Sequence, residues 1–420
     1  MSAGDALPGS DPAATRDTGE PGPDAAGEIR ALYEAEPYPA RGALNKVSGA
    51  PRAPVRWINE VARPGRPVLA PGTRALVAGC GAGGEAHRYA RDCPGTEVVG
   101  VDFSPASIEV ARRLMLQEGH KNLRFEVADL TKDDLADRFA PFDYISLWGV
   151  IDYIPEPEAA FRTLARALAP GGCIYAGVNG PGHMSVRVRQ ALPAHGIEPG
   201  RTTVDDATRD KLRTIEALMG PDWPGTFSES SQIYILGDIL APLNHSYPLD
   251  RWVAIARAAG LHLVTSPDLV SLIPRYPTRI LRNLFHLSRG ELYLLVAALR
   301  PKGFMRMLLA GAPPVEAPFA DLDALDRWVP RLVEGLREAF PPPGSGPEAA
   351  AAVTIRAPGM RPDVAVAPEH AAFLRACDGR RSVAEARAEA GGPADVSALR
   401  TALFRLFHLG VLHLAPPPDG

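Results

Sequence analysis

The segment LVAGCGAGGEA (residues 76–86) places several glycines where an apolar run ends and a helical pattern begins. Gly79, Gly81 and Gly84 satisfy the dinucleotide fingerprint G-x-G-x-x-G, whereas Gly79, Gly81 and Gly83 satisfy the tighter pattern G-x-G-x-G. Glycine lets the backbone turn sharply and approach a ligand with no side chain in the way. The loop is therefore predicted to hold an adenosine-bearing cofactor, and its letters alone leave the choice of cofactor open.

The next two strands each end in residues suited to an adenosine group. EVVGVD (97–102) ends in Asp102, roughly 20 residues beyond the glycines, where a carboxylate can accept hydrogen bonds from both ribose hydroxyls. LRFEVADL (123–130) ends in Asp129 and Leu130, so that a carboxylate meets the adenine amino group while the leucine packs on the ring. Ligands of such sheets bind at the carboxyl ends of the strands, which is where both segments place these residues.

Between residues 73 and 180, apolar strands alternate with amphipathic helices, which predicts a parallel sheet with helices on both faces. The first strand, RALVAG, is apolar throughout, as expected of a strand buried on both faces. The helix after the second strand has Ser104 as its N-cap and Pro105 as its first residue. FDYISLWGVIDYI (142–154) is a fourth strand that runs into an open turn, and it is followed by a helix, the stop APGG and the strand CIYAGVN.

Together these segments resemble the class I S-adenosylmethionine-dependent methyltransferases, over about residues 75–180. VAGCGAGG, VVGVDFSPASIEVAR, VADL, FDYISLWGVIDYI and LAPGG fall in that family's order. The resemblance implies an α/β fold with a Rossmann-like seven-stranded sheet, and S-adenosylmethionine as the cofactor. It assigns the methionine moiety to the glycines, the ribose to Asp102, the adenine to Asp129 and Leu130, and the floor near the methyl group to residues 148–151. The predicted cofactor contacts in this domain are Gly79, Cys80, Gly81, Gly83, Asp102, Phe103, Asp129, Leu130, Trp148 and Gly149.

The segment before the domain, YEAEPYPARG, resembles the flank of a bacterial methyltransferase subgroup that has a YEENPYPRW-type sequence. The present chain has Ala40 and Arg41 where that subgroup has Arg and Trp. Prolines restrict the preceding residues to extended conformations, so the segment carries Tyr33 and Tyr38 on a stiff arm. These two tyrosines are predicted to close a lid over the cofactor, with packing on the domain surface as the alternative.

Methyl transfer from a sulfonium is an in-line displacement, so the protein mainly positions the two reactants and excludes water. A general base is needed only when the acceptor carries a proton that must leave. The predicted catalytic residues are Asp152 and Tyr153, which follow the fourth strand, and His183, which follows the fifth. Other candidates near the site are Tyr33, Tyr38, His245 and Tyr247.

Composition shifts divide the chain into six segments. They are a disordered tail (1–27), an N-terminal lid segment (28–72), the cofactor-binding core (73–180), the rest of that domain with a substrate-covering insertion (181–310), a connector (311–362) and a C-terminal unit (363–415). The last unit resembles the winged-helix PqqD-like modules that hold peptides, and also the C-terminal tail of regulatory-domain methyltransferases. It is predicted to be a small α+β, winged-helix-like domain, which makes a peptide or protein acceptor one hypothesis.

Charge and hydropathy exclude several kinds of partner. Lys and Arg total 45 against 49 Asp and Glu, with no basic block, so nucleic acid is not an expected partner. The longest apolar stretches, such as LYLLVAAL (292–299), are far shorter than the roughly 20 residues of a membrane span, and the N-terminus lacks a signal-peptide pattern, so a cytoplasmic protein is predicted. The four cysteines have neither metal-site nor disulfide-framework spacing, and no metal is expected.

Three functional classes therefore compete. The first is a methyltransferase acting on a peptide, a protein or a small molecule, and the second is a nicotinamide-dependent oxidoreductase that uses the overlapping G-x-G-x-x-G. The VADL and LAPGG segments, and the lack of a Tyr-x-x-x-Lys pair, disfavour the second class. The third is a non-catalytic protein that kept the cofactor fold and binds peptides through its C-terminal unit. The methyl acceptor and the oligomeric state stay open.

Overall fold

The computed structural model describes most of the chain between residues 24 and 417. The described residues are 24–38, 50–63, 65–132, 134–220, 227–333, 335–340, 353–356, 363–367, 370–392 and 395–417. The predicted tail therefore lies almost wholly outside the described residues, as do residues 334, 341–352 and 357–362 of the predicted connector.

A seven-stranded sheet forms the centre of the molecule. Its strands are β1 (Arg74–Ala78), β2 (Glu97–Asp102), β3 (Leu123–Val127), β4 (Phe142–Trp148), β5 (Leu168–Asn179), β6 (His262–Thr265) and β7 (Phe304–Ala310). They lie in the order β3-β2-β1-β4-β5-β7-β6, and β7 is antiparallel to both of its neighbours. The predicted Rossmann-like α/β fold is confirmed. The strand order reverses between β1 and β4, and a crevice for a ligand is expected there.

Helices connect the strands. They are α1 (Ala25–Ala35), α2 (Val55–Ala62), α3 (Gly84–Asp92), α4 (Pro105–Glu118), α5 (Asp134–Phe139), α6 (Pro157–Arg166), α7 (Met184–Ala191), α8 (Asp206–Leu218), α9 (Gln232–Tyr234), α10 (Leu249–Ala258), α11 (Pro267–Val270), α12 (Thr278–Arg282) and α13 (Arg289–Leu299). The turn Ile235–Ile239, which continues α9, is a π-helix. In the part of the chain that the structure describes, no helix has the length and apolar character needed to cross a bilayer.

Local sequence signals explain the elements around the crevice. The residues of β1 after Arg74 are buried, as its apolar run predicts, and Ala75 pairs with Val98 on one side and Tyr144 on the other. The predicted N-cap Ser104 accepts a hydrogen bond from the backbone N–H of Ser107 and so starts α4. These caps and pairings fix the strand ends and hence the loops that follow them.

A C-terminal unit packs against the sheet domain. It contains α14 (Leu322–Leu325), β8 (Val329–Leu332), β9 (Val353–Arg356), β10 (Asp363–Val366), α15 (Ala371–Ala376), α16 (Val383–Glu389), α17 (Val396–His408) and β11 (Leu412–Ala415). Strand β11 pairs antiparallel with β8, which comes from within the segment predicted as a connector, and β9 pairs with β10. The Phe404 ring on α17 contacts Phe285 and Phe319, and the Arg289 guanidinium lies 3.9 Å from the Phe407 ring centroid. One apolar core therefore runs through both parts.

Candidate functional site

A cavity of about 560 Å³ opens at the carboxyl ends of β1, β2, β4 and β5. It brings together residues that are far apart in the sequence. Thirteen of the fifteen predicted site residues line it: Tyr33, Tyr38, Gly79, Cys80, Gly81, Asp102, Phe103, Asp129, Leu130, Trp148, Gly149, Tyr153 and His183. Gly83 and Asp152 do not line it.

The glycine loop has the backbone geometry that its sequence requires. Gly79 and Gly81 have φ values of 67° and 51°, in the left-handed region that disfavours side chains. A Cβ on Gly79 would lie 2.6 Å from the methyl carbons of Val150, and one on Gly81 would overlap the Tyr38 carbonyl oxygen. Only glycine fits at these two positions, and the backbone of the loop is left facing the cavity.

Asp102 anchors this loop. One carboxylate oxygen accepts a hydrogen bond from the Gly81 N–H at 2.8 Å, and the other accepts from the Ser104 N–H at 3.0 Å. Burial raises the pKa of Asp102, and the two backbone N–H groups oppose that shift. Each carboxylate oxygen has a second lone pair, so Asp102 can hold the loop and accept from a ligand hydroxyl at the same time.

Gly83, one of the predicted cofactor contacts, does not line the cavity. It is the N-cap of α3, with φ at 90°, and a Cβ there would meet the Phe125 ring and the Ala111 methyl group within 3 Å. It therefore permits close packing of α3 on the domain. Gly84, the first residue of that helix, lines the cavity instead.

Apolar and acidic residues form the wall after β2 and β3. Phe103 and Leu130 line the cavity, and the Arg30 guanidinium of α1 lies 5.1 Å from the Phe103 ring centroid. Asp129 Oδ1 accepts from the N–H and the hydroxyl of Thr131, at 2.9 and 2.7 Å. The carboxylate is thus oriented by its own turn, beside a flat apolar surface.

The N-terminal segment lies over the glycine loop. The Tyr38 carbonyl accepts a hydrogen bond from the Ala82 N–H at 2.9 Å, and the Tyr33 carbonyl accepts from the Ser104 hydroxyl at 3.2 Å. The Tyr33 ring meets the Phe103 ring edge-on, with the centroids 6.0 Å apart. Both predicted lid residues therefore contact the loops that follow β1 and β2.

Glu85 and two arginines form a charged group at the same end. Glu85 Oε1 accepts from the Arg52 backbone N–H at 2.8 Å, and its Oε2 lies 3.2 Å from the Arg88 guanidinium. Burial raises the pKa of Glu85, against the effect of these partners. The Arg52 guanidinium lies 5.5 Å from the Trp148 ring centroid. Both signs of charge are present here, as a zwitterionic ligand requires.

Aromatic side chains and a polar relay line the rest of the cavity. The Trp148 ring contacts the rings of Tyr175 and Phe304, with centroids 5.6 and 4.9 Å away. The Tyr153 hydroxyl donates to Asp238 Oδ1 at 2.7 Å. From Tyr153, hydrogen bonds continue through Asn179, Asn244 and Ser185 to Nδ1 of His183. Burial lowers the pKa of His183, which favours its neutral form.

Comparisons with known proteins agree with this geometry. Residues 76–174 match the family model described as a methyltransferase domain. Over 104 residues, the chain is 38% identical to the ubiquinone biosynthesis O-methyltransferase of Alkalilimnicola ehrlichii, which is 24% of this chain and 39% of that protein. Residues 76–174 therefore have the sequence of a methyltransferase domain. The match favours S-adenosylmethionine over the nicotinamide alternative.

Two other proteins are also similar to this chain. A protein of unassigned function from Rickettsia prowazekii is 35% identical over 127 residues, 29% of this chain and 23% of its own length. The solved structure of PKMT2 from Rickettsia typhi in complex with AdoHcy has a TM-score of 0.52 and 17% identity, over 86% of this chain and 75% of that chain. The second likeness shows the shared fold. The chain spans less than half of the curated relatives it matches, so their activities do not transfer to it directly.

The residues of the methyltransferase domain fit the cofactor. Its ribose requires an acceptor at the end of β2, where Asp102 lies, and its adenine requires a flat apolar wall, which Phe103 and Leu130 supply. Its amino and carboxylate groups require opposite charges, and Glu85 and Arg52 line that end of the cavity. The fit therefore rests on these side chains and on the backbone of the glycine loop, which a larger residue would block.

Asp152 positions the turn after β4 and does not face the cavity. Its Oδ1 accepts from the Asn179 N–H at 2.6 Å, its carbonyl accepts from the His245 N–H at 2.7 Å, and its side chain is fully buried. His245 in turn contacts the Tyr247 hydroxyl at 2.8 Å and the Ile154 carbonyl at 3.0 Å. Asp152, His245 and Tyr247 therefore tie the turn to the segment before α10.

Asp152→Asn is expected to leave cofactor affinity unchanged and to flatten the pH dependence of stability. Burial raises the pKa of Asp152 from its ordinary value of 3.8 to about 8. Between these values the native state binds more protons than the unfolded state, so this carboxyl lowers stability as pH rises through that window. Urea denaturation of both proteins from pH 4 to pH 8 measures the slope. Loss of methyl transfer with unchanged cofactor affinity would instead assign the Asp152 charge to catalysis.

Several lining residues were not predicted. Asn179 ends β5 and Phe304 begins β7, so the rule that ligands lie beyond strand ends could have found Asn179. Asp238 and Tyr234 come from the segment 181–310, in which the sequence shows no recognisable motif. From the sequence, Glu85 had two interpretations, a contact to the cofactor's amino group or an acid that favours the first turn of a helix for dipole reasons alone.

Proposed function

We propose that this chain transfers the methyl group of S-adenosylmethionine to an acceptor bound beside the cofactor. The observation that carries the proposal is continuity of the cavity. Gly81 and Asp102, at the cofactor end, share it with Tyr153 and His183, which lie on a hydrogen-bonded relay and have no assigned part in cofactor binding. A protein that only bound the cofactor would have no use for this second, polar half.

The chain's own residues position the reactants. The cofactor supplies an electrophilic methyl group on a positively charged sulfur. The segment that carries Tyr33 and Tyr38 covers the glycine loop, in support of its proposed role as a lid that excludes water. Trp148, stacked on Tyr175, gives the acceptor side a rigid floor. Holding two reactants in line is the main contribution of the protein to such a displacement.

Tyr153 and His183 are the residues we assign to contact the acceptor. Both line the cavity, and each is oriented by a hydrogen bond, from Tyr153 to Asp238 at 2.7 Å and between His183 and Ser185 at 2.6 Å. Because the His183 Nδ1 accepts the Ser185 backbone N–H, the neutral ring carries its hydrogen on Nε2 and can donate a hydrogen bond to the acceptor. Asp152 is assigned a positioning role behind Asn179.

The acceptor can be a peptide, a protein or a small molecule, and the C-terminal unit bears on that choice. We propose that this unit is a winged-helix-like module that binds peptides. We also propose that the chain is related to the methyltransferase subgroup with the YEENPYPRW-type flank. Among the described residues, none from 329 to 417 lines the cavity, so such a role would act on a distant part of an acceptor. If substitution of Arg380 and Arg381 leaves the turnover of a peptide substrate unchanged, that role is contradicted.

Calorimetric titration of the full chain tests the proposed function. S-adenosylhomocysteine is expected to bind at one site per chain. Reduced nicotinamide adenine dinucleotide is expected not to bind, because the glycine loop and Asp102 lie in the segment that matches a methyltransferase domain. Tight binding of the nicotinamide alone would replace the proposal with an oxidoreductase. Binding of neither would favour a non-catalytic adaptor.

A further inference from the structure

Asp238 enters the cavity on an unusual turn. It lies in the π-helix Ile235–Ile239, which follows α9 directly and ends where the Leu240 N–H bonds to the Ile235 carbonyl. π-Turns within helices are rare and frequently occur at functional sites, because the extra residue redirects side chains. Here the turn places a carboxylate in the cavity, half-buried, from a segment whose other residues are mostly apolar and buried.

Four tyrosines line the same cavity as this carboxylate. The Tyr153 hydroxyl donates to it at 2.7 Å, and Tyr33, Tyr38 and Tyr234 line the same cavity. Burial raises the pKa of Tyr38 to about 12 and also raises that of Tyr234, and the negative charge of Asp238 adds to both shifts. Among the residues that the structure describes, Asp238 takes part in no salt bridge.

This combination recognises a positive charge. Aromatic faces attract ammonium groups, and tyrosine hydroxyls can accept hydrogen bonds from them. A half-buried carboxylate without a salt bridge gains from a cationic partner and repels a carboxylate or a phosphate. The Arg52 guanidinium lies within electrostatic range of Asp238, but it is placed over Trp148, and its backbone N–H bonds to Glu85 at the cofactor end. Arg52 lines the same cavity but forms no salt bridge with Asp238 among the described residues, so the carboxylate can pair with the cation of a ligand.

We propose that the cluster of Asp238 with Tyr33, Tyr38, Tyr153 and Tyr234 binds the methyl acceptor through an ammonium group, so that the acceptor is an amine. This inference rests on the proposed methyl transfer and names the substrate class of the same cavity. The curated relative from Alkalilimnicola is named as an O-methyltransferase, so the inference sets this chain apart from it.

Methyl transfer to an amine needs only the cofactor, the amine and the Asp238 carboxylate. The ammonium group gives one proton to the Asp238 carboxylate and becomes a neutral amine. Its nitrogen lone pair then forms the new C–N bond as the C–S bond breaks, and the bonding electron pair stays on sulfur as a neutral thioether. The product is an N-methylated ammonium group, and Asp238 releases its proton to water after the product leaves.

Transfer of radiolabelled methyl groups to a matched set of probes tests the inference on the full chain. The amine probes are Nα-acetyl-lysine amide, a lysine-containing peptide and n-hexylamine, and the controls are the hydroxyl analogue of the lysine probe and a phenol. Label is expected in amines only. The amine that is labelled most shows whether the ammonium group of the acceptor belongs to a peptide, an amino acid or an alkylamine.

Variants assign that selectivity to Asp238. Asp238→Asn keeps the shape of the side chain and removes the charge, and we expect amine methylation to fall about 100-fold, at the lower end of general-base contributions. Affinity for S-adenosylhomocysteine, which also reports folding, is expected to stay within about twofold, a difference well under 1 kcal/mol. Asp250→Asn, an exposed acid at the start of α10, is the matched control and is expected to behave as wild type.

The failure of this inference is distinguishable from the failure of the proposed function. If the wild type binds S-adenosylhomocysteine but labels hydroxyl probes, or labels no amine, the amine assignment is overturned while the cofactor site stands. Undiminished amine methylation in Asp238→Asn also overturns it. Failure of the wild type to bind S-adenosylhomocysteine overturns the proposed function, and the amine assignment with it.

Discussion

Replacing Asp102 with alanine is expected to weaken S-adenosylhomocysteine binding by about 1,000-fold. The carboxylate accepts the Gly81 and Ser104 N–H groups at 2.8 and 3.0 Å and is 8% exposed, so the change removes the loop anchor as well as the proposed ribose contact. Hydrogen bonds to charged groups contribute about 1.5–3 kcal/mol each. Losing the equivalent of two of them costs roughly 4 kcal/mol, and about 1.4 kcal/mol corresponds to a factor of ten in affinity.

Calorimetry on the purified variant measures that loss. Asp137→Ala, which removes a carboxylate that is 73% exposed on α5, is a suitable control and is expected to bind as wild type. Urea denaturation separates a local effect on the loop from global unfolding. If Asp102→Ala binds S-adenosylhomocysteine with unchanged affinity, the proposed ribose contact is wrong.

The cofactor half of the site was predictable because its signals are local. Gly79, Gly81 and Asp102 occupy fixed offsets from two strands, and parallel strands bring their carboxyl ends to one edge of the sheet. Leu130 follows the same rule after β3. Here the chemistry of each residue and its place in the fold are set within a few positions of the chain, which is the scale that a sequence pattern reports.

The acceptor half was only partly predictable because it depends on side-chain direction and on distant segments. Asp152 and Tyr153 are neighbours in one 3₁₀ turn, Ile151–Tyr153, yet Tyr153 lines the cavity and Asp152 contacts the Asn179 N–H behind it. No spacing rule says which of two adjacent residues faces a ligand. Asp238 reaches Tyr153 across 85 positions, on a π-turn that hydrophobic periodicity does not predict.

The C-terminal unit illustrates the same limit. Its last strand, β11, was expected to belong to a unit that starts at residue 363, but it pairs with β8 (Val329–Leu332). Antiparallel partners separated by about 80 positions leave no local mark in the sequence, because only side-chain alternation and burial specify the register. The connection of β8 to the unit therefore became visible only in the fold.

Replacing Gly81 with alanine is expected to weaken S-adenosylhomocysteine binding by about 100-fold, more than the same change at Gly72. Both glycines have left-handed φ values, 51° and 84°, so both substitutions incur the backbone cost of roughly 1–2 kcal/mol. A Cβ at Gly72 has no atom within 4 Å, whereas one at Gly81 overlaps the Tyr38 carbonyl oxygen that accepts the Ala82 N–H. Gly81→Ala must therefore also displace the segment that covers the loop.

Comparing the two variants isolates that segment. Calorimetry gives the affinities and urea denaturation gives the free energies of unfolding, and Gly72→Ala is expected to lose stability without losing affinity. A selective loss in Gly81→Ala would mean that contact between the Tyr38 backbone and the loop is part of the binding site, as a lid requires. Equal affinities in both variants would mean that Tyr38 only packs on the surface, and the proposed lid would then have to be abandoned.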